Sequence, residues 1–226
     1  MNKQVYYHFL SYKSAVNDLE NKRIKVSTLG SLNDPFEFMP YGRYGFKERQ
    51  SYNRVFRAVS KKWGILCFSR TWKEQLLWAH YGDKHEGIAL GFEIPKDKII
   101  KVKYNSSEIR EKFELTDDPN ENERRFLNLA DKKFREWKYE KEFRLLIELK
   151  DCKSEANYYF IPFGDILRLR EVILGCRFDH KNRREAISGL ANQLKVKVIA
   201  TRPGWEDYRI HQCGTKTKFY EDLDKK

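Results

Sequence analysis

The sequence predicts an α+β domain built on mixed, mainly antiparallel split β-sheets flanked by helices, and three observations carry that prediction. Apolar, strand-like runs are numerous, with RIKVST, GILCFS, GIALGFEI, EVILG and VKVIAT the plainest. Helical patterns interrupt them irregularly, unlike the regular alternation of a parallel α/β sheet. With 226 residues, 40% apolar and 15% aromatic, the chain can bury one substantial core. Residues 1–213 are expected to form a single α+β domain, and 214–226, GTKTKFYEDLDKK, a flexible tail.

Taken in order, QVYYHFL (4–10) reads as an aromatic-rich strand, SYKSAVNDLENK as a short helix burying Ala15, Val16 and Leu19, and RIKVST as a second strand. In LGSLNDPFE, Asn33 and Asp34 before Pro35 mark a turn whose side chains bond its own backbone. A basic helical segment around 43–62 precedes the buried strand GILCFS. TWKEQLLWAHYG then predicts a helix capped by Thr71, boxed by Glu74 and ended by Gly82. GIALGFEI is a strand with Ile88, Leu90, Phe92 and Ile94 on one face, and KVKY a further short one. DPNENERRFLNLADKKFREW predicts a long helix with Asp118 as cap, Pro119 in the first turn and a buried stripe of Phe126, Ala130, Phe134 and Trp137. NYYFIPF, EVILG, VKVIAT and DYRIHQ are strands, with a helix from about Asp179 to Leu194 between the second and third.

Lys and Arg number 45 against 33 Asp and Glu, a net charge of +12 spread along the chain, which favours a polyanionic partner such as nucleic acid, although a solvated basic surface is the plainer reading. The four cysteines form no CxxC pair, so neither a zinc knuckle nor a redox dithiol is indicated, and no metal is expected. No apolar leader and no run of 18 apolar residues occurs, so the expectation is a cytoplasmic protein without a membrane partner.

Candidate chemistry centres on WKYEKEFRLLIEL. On an extended strand Glu140, Glu142 and Arg144 project from one face and Tyr139, Lys141, Phe143 and Leu145 from the other. Carboxylates on rigid backbone suit stabilisation of a developing cation or capture of a ribose hydroxyl; a solvated charged face is the plainer alternative. His8 either donates to a bound hydroxyl or is a half-buried strand histidine. Ser69, Trp78, His80, Tyr81 and His85 lie in a segment whose spacing also fits core packing. Glu148 and Lys150 form an ExK pair of the kind metal-dependent nucleases use with an upstream Asp. No GxGxxG, P-loop or GxSxG is present.

NDPFE (33–37), CFS (67–69), WAHYGDKHEGIALGF (78–92), WKYEKEFRL (137–145) and REVILG (170–175), in that order, resemble the bacterial domain-of-unknown-function family 2971. More distantly, the His-bearing strand, helix and strand of YYHFLSYKSAVNDLENKRIKVST, with YEKEFRLLI late in the chain, are similar to ADP-ribosyltransferases of the His-Tyr-Glu type, particularly those that modify nucleic acids. That resemblance implies NAD as co-substrate. It implies Glu142 as the catalytic glutamate with Glu140 as its accessory, His8 at the nicotinamide ribose and Tyr81 stacked on nicotinamide. Ser69, Arg144 and Asn33 complete the expected NAD-binding set. It also implies a macromolecular target, a toxin or antiviral role, and a neutralising antitoxin partner. Asn33, Asp34 and Glu37 are expected to shape the cleft loop or to pair with Arg144. The rival readings are the Glu148/Lys150 nuclease and a non-catalytic nucleic-acid-binding module.

Overall fold

In the computed structural model, which describes residues 3–39, 45–105 and 114–221, the apolar runs become strands and the capped segments helices. The order is β1 (Lys3–Leu10), α1 (Tyr12–Glu20), β2 (Arg23–Thr28), α2 (Phe46–Lys62), β3 (Trp63–Ser69), α3 (Gln75–His80), β4 (Ile88–Pro95), β5 (Ile100–Lys101) and β6 (Lys103–Asn105). There follow α4 (Pro119–Leu127), β7 (Lys132–Phe134), β8 (Glu142–Glu148), β9 (Lys153–Glu155), β10 (Tyr158–Pro162), β11 (Arg168–Leu174), α5 (His180–Leu194), β12 (Lys197–Pro203), β13 (Ile210–Gln212) and α6 (Gly214–Glu221). Side-chain caps start three of the helices: Ser11 Oγ accepts from Ser14 N, an Asp118 oxygen from Asn120 N, and an Asp179 oxygen from Asn182 N. No helix among the described residues is long and apolar enough to cross a membrane.

The large sheet runs β13-β12-β11-β4-β1-β3-β2-β10-β9, with β8 laid along β3 and β5 along β8. Among the described residues β11 with β12 is the one parallel pair of this sheet, and β6 with β7 forms a separate two-stranded parallel sheet, so in place of the expected split sheets there is one branched, mainly antiparallel sheet. Its branch point is β3. That strand pairs with β8 along its whole length, Trp63 opposite Glu148 through Ser69 opposite Glu142, yet meets β1 only at Tyr7 opposite Ser69. At its other end it meets β2 at just two positions, Ser27 with Ile65 and Thr28 with Gly64. Here a Cβ on Gly64 would lie 2.5 Å from a Val26 methyl, so only glycine allows the approach. Beyond Tyr7 and Ser69 the first and third strands diverge, and the divergence opens a cleft.

The core follows strand alternation. Ile88, Leu90, Phe92 and Ile94 of β4 join Tyr6, Leu66 and Phe68 in the main cluster, while Ala89 faces the opposite way towards Trp78, Ile173, Ile199 and Ile210. A third cluster gathers Phe38, Tyr52, Ile65 and Phe126, with the Phe38 and Phe126 rings stacked 5.5 Å apart.

Four sequence expectations are corrected. The helix at 71–81 begins only at Gln75, because residues 72–74 are held by other partners: Trp72 O accepts from Trp78 Nε1 (2.7 Å), Lys73 O from Ile210 N (2.9 Å), and Glu74 bridges Arg209. The long helix expected up to Trp137 stops at Leu127 and yields to a 3-10 turn and then β7, whose two-residue alternation turns Lys133 inward and leaves Phe134 39% exposed. KVKY is split between β5 and β6 at Val102, whose N–H donates to Glu142 O (3.1 Å). Finally, 214–221 of the expected tail forms α6, while residues 222–226 lie outside the described residues. Tyr220 of α6 is 4% exposed, and Thr217 Oγ1 donates to Cys213 O (2.8 Å) and accepts from Ala200 N (3.2 Å) on β12.

Because α6 covers β12, Tyr220→Ala is expected to destabilise the protein by about 3 kcal/mol in urea unfolding, the scale of emptying a buried aromatic site. A frayed tail would leave the midpoint unchanged.

Candidate functional site

The cleft at the branch point has a volume of about 110 Å3 and is lined by residues from every segment that meets there, among them His8, Asn33, Glu37, Tyr81, Glu140 and Glu142. An apolar cavity of about 150 Å3 takes one benzene, so this space suits a single ring or sugar. On the β1 side, His8 Nδ1 lies 2.7 Å from Cys67 O across the gap between the diverging strands. A carbonyl only accepts, so Nδ1 carries the proton and, in the neutral ring, Nε2 is left as an acceptor. Burial holds the His8 pKa below its ordinary value, against the opposing pull of the Cys67 carbonyl, so the ring is neutral near pH 7. The free ring nitrogen of His8 is therefore an acceptor, not the donor the sequence suggested.

On the β8 side, five charged side chains interlock. Arg144, with no exposure to solvent, donates from Nε to Glu142 Oε1 (2.7 Å) and from Nη2 to Glu142 Oε2 (2.9 Å). Its Nη2 also donates to Glu37 Oε2, and its Nη1 to Ala130 O (3.2 Å). Lys133 Nζ reaches Glu140 Oε2 (2.5 Å), Glu142 Oε2 (3.0 Å) and Glu37 Oε1 (3.1 Å) and lies 5.0 Å from the centre of the Trp137 ring. Tyr81 Oη donates to Glu140 Oε1 (2.7 Å) and accepts from Asn33 Nδ2 (2.9 Å).

Local backbone explains how residues so far apart in sequence converge. Within NDPFE, Asp34 Oδ1 accepts from Phe36 N (2.9 Å) and Asp34 O from Glu37 N (3.1 Å), a turn that swings Glu37 inward, while Phe38, at φ 56°, buries its ring beside Phe126. Glu140 does not lie on the strand as expected. It ends a 3-10 turn, Lys141 takes a left-handed conformation (φ 48°), and β8 starts at Glu142. The kink still delivers Glu140 to the same side, because Ser69 Oγ donates to Glu140 O (2.7 Å) and Arg70 N to Lys141 O (3.1 Å). Glu142 N donates to Tyr104 Oη (2.7 Å), which fixes the first residue of the strand.

These contacts drive the two glutamates apart electrostatically. Burial raises the pKa of Glu142, but Arg144 and Lys133 outweigh it and hold the carboxyl down at about 2. Glu140, with Lys133 alone as cation and Glu142 as a repelling neighbour, is raised by its burial. Burial disfavours the Lys133 ammonium, yet Glu142, Glu37 and Glu140 reverse that and keep it charged. Burial lifts the Tyr104 hydroxyl to about 12 and the Cys67 thiol well above the usual thiol range. Such a split between adjacent carboxyls is how one site supplies both a permanent anion and a proton acceptor.

Of the residues expected from the sequence, His8, Tyr81, Ser69, Asn33, Glu140 and Glu142 line this one cleft. Arg144 does not; its guanidinium is spent on Glu142, Glu37 and a backbone carbonyl, which makes it a positioning residue. The Ser69 hydroxyl likewise serves the Glu140 backbone and the N–H of Thr71 (3.3 Å). Tyr81 caps the C-terminus of α3 instead of lying within it, and its hydroxyl is engaged on both sides. Of the two roles open to the NDPFE loop, Glu37 pairs with Arg144 and Asn33 shapes the cleft wall through Tyr81. Glu148 and Lys150, the nuclease-type pair, form an exposed salt bridge (2.6 Å) at the far end of β8 and do not line the cleft. No group of three or more His, Cys, Asp or Glu among the described residues is arranged to hold a metal. No family model, curated protein or solved structure matches the chain.

Lys133 and Tyr104 were missed. Lys133 lies in the segment expected as helix, seven residues after Phe126 and so beside the apolar stripe, where a lone lysine marks no site; the pairing of 103–105 with 132–134 that places it in the network leaves no local signal.

Arg144→Leu is expected to cost about 3–5 kcal/mol in urea unfolding, since it strands Glu142 and Glu37 in a buried site. Arg144→Lys is expected to recover only part of that, because it cannot grip Glu142 through two N–H groups. The depressed Glu142 pKa supplies stability that is complete above the ordinary carboxyl range and lost as pH falls from about 4.5 to about 2. Glu140, shifted the other way by its burial, acts in the opposite direction on acidification. In Glu142→Gln the decline in urea midpoint across that interval should be shallower than in the wild type.

Proposed function

We propose that the chain is an ADP-ribosyltransferase-like enzyme that transfers ADP-ribose from NAD to a macromolecular acceptor, with nucleic acid favoured by the net charge of +12. The observation that carries this reading is the charge of the cleft wall. Three carboxylates, Glu37, Glu140 and Glu142, meet two cations, Lys133 and Arg144, leaving a net negative, water-poor surface in an otherwise basic protein. That polarity complements the pyridinium of NAD and, more strongly, the oxocarbenium ion that develops when its glycosidic bond breaks. The neutral His8 acceptor across the cleft suits a ribose hydroxyl, and the volume suits the nicotinamide end rather than the whole dinucleotide. The mainly antiparallel sheet with flanking helices is compatible with this reading.

In this reading the C1′–N bond breaks with both electrons leaving on nicotinamide, and the acceptor's nucleophile forms the new bond to C1′. Glu142, held ionised, faces the developing positive charge. Glu140 takes the proton of the incoming nucleophile, a role that its raised pKa fits. Asn33 and Tyr81 keep Glu140 oriented, and Tyr7, Phe9 and Phe68 exclude water that would otherwise compete as acceptor. A toxin-like or antiviral role with a neutralising partner follows as an expectation from the same resemblance.

The test is release of nicotinamide from NAD by purified protein given mixed RNA, DNA and lysate proteins. Release is expected, with Glu142→Gln lowering it about 100-fold or more, on the scale of losing a main electrostatic stabiliser. Release that survives Glu142→Gln in folded protein would remove the site assignment; none under any acceptor condition would remove the reading.

A further inference from the structure

The loop between β12 and β13 displays Trp205 at 91% and Tyr208 at 88% exposure, the most exposed large hydrophobic side chains among the described residues. This is not the looseness of an unanchored loop. Gly204 N donates to Arg209 O (2.8 Å), Ile210 N to Lys73 O (2.9 Å), and Arg209 pairs with Glu74 in a β-bridge. Inside the loop Asp207 Oδ1 accepts from Arg209 N (3.3 Å) and lies 2.8 Å from His211 Nε2. A Cβ on Gly204 would lie 2.6 Å from the Asp207 backbone carbonyl oxygen, so the turn requires glycine. Two aromatic rings are thus held out to water on a fixed support.

Beneath the loop lies a second cavity, of about 210 Å3, lined by Arg177, Arg209, Gln75, His85 and Asp207 among others. Its floor is made where two segments singled out in the sequence, YGDKHEG and REVILG, lock together. Arg177 N donates to His85 O (3.0 Å) and Gly175 N to Gly87 O (3.0 Å), while Asp83, Lys84 and His85 all take positive φ (49°, 53° and 74°). Runs of left-handed non-glycine residues carry strain that persists where surrounding structure fixes it, often at binding sites. The cavity lining itself carries Arg177 and Arg209 against Asp207, which is already engaged; around the loop Lys73 and Arg202 add to the cations, and Glu206 and Glu74 to the anions, with Glu74 3.7 Å from Lys141 Nζ.

We propose that this face binds single-stranded nucleic acid, with bases stacked on Trp205 and Tyr208 and a backbone phosphate seated at the cavity by Arg177 and Arg209. Aromatic rings beside cations are the physical requirement for gripping a strand without reading its sequence. A protein partner would also cover the rings, but the excess of cations favours a polyanion. The site is connected to the acidic cleft: Gln75 lines the cavity, Leu77 and Tyr81 line the cleft, and the six residues of rise from Gln75 to Tyr81 span only ~9 Å. The inference rests on the proposed transferase reading only for what the docked strand is used for.

The measurement is fluorescence anisotropy of a labelled 20-nucleotide oligothymidylate and oligouridylate, titrated with full-length protein at about 50 mM and about 200 mM salt. Binding that weakens with salt is expected, and Trp205→Ala/Tyr208→Ala should lower affinity at least tenfold with unchanged circular dichroism. Arg177→Ala should flatten the salt dependence, whereas Phe219→Ala, an exposed aromatic on α6, should change nothing. A duplex of equal length should bind more weakly, since its base faces are covered. Absence of binding at the lower salt, affinity that survives the double substitution, or equal binding of duplex would each overturn the proposal. Glu142→Gln should bind oligonucleotide as the wild type does. Binding without nicotinamide release would therefore count only against the transferase, and release without binding only against this site.

Discussion

Arg144 is wholly enclosed, and its guanidinium holds Glu142 through two N–H groups while also reaching Glu37 and the Ala130 carbonyl. Removing that many charges from water is unfavourable unless every one finds a partner, so the segments carrying the partners are not free to sit elsewhere. The NDPFE loop must bring Glu37 inward, β7 must present Lys133, and the turn before β8 must return Glu140 to the side it would otherwise have left. The network adds little net stability against an apolar alternative. What it supplies is registration: any one segment displaced leaves a bare charge in the interior.

The sheet supplies the second half of the geometry. Because β3 gives its whole length to β8, which carries Glu142, but a single residue pair to β1, which carries His8, β1 and β3 separate beyond Tyr7 and Ser69. The cleft is the space between them. His8 closes its upper edge through the Cys67 carbonyl, and the carboxylates form the facing wall. One wall thus presents a neutral acceptor and the other a buried, net-negative network.

Much of this was legible beforehand. Strand runs and capped helices fell close to where alternation and caps placed them, and Glu142 with Arg144 on one strand face followed from the two-residue repeat alone. Local reasoning failed where a distant strand captured a segment. Lys73 and Glu74 leave the start of one expected helix for Ile210 and Arg209, and 132–134 leave the later part of another for β6, since a ladder partner outweighs the few tenths of a kcal/mol by which propensity favours a helix. The α6 segment looked like a tail because its buried side, Thr217 and Tyr220, is too short to show a period.

The sequence by itself determined the α+β character, the branched aromatic core and the candidate carboxylates, because burial of apolar side chains and two-residue alternation are properties of neighbouring residues. Only the tertiary structure decided which charges meet. Glu37 and Arg144, separated by 107 positions, and Lys133, hidden in a helical pattern, become one network through pairings made across the sheet. Their pKa values, and with them the division of roles between Glu140 and Glu142, depend on burial and on those neighbours, which no local stretch of chain encodes.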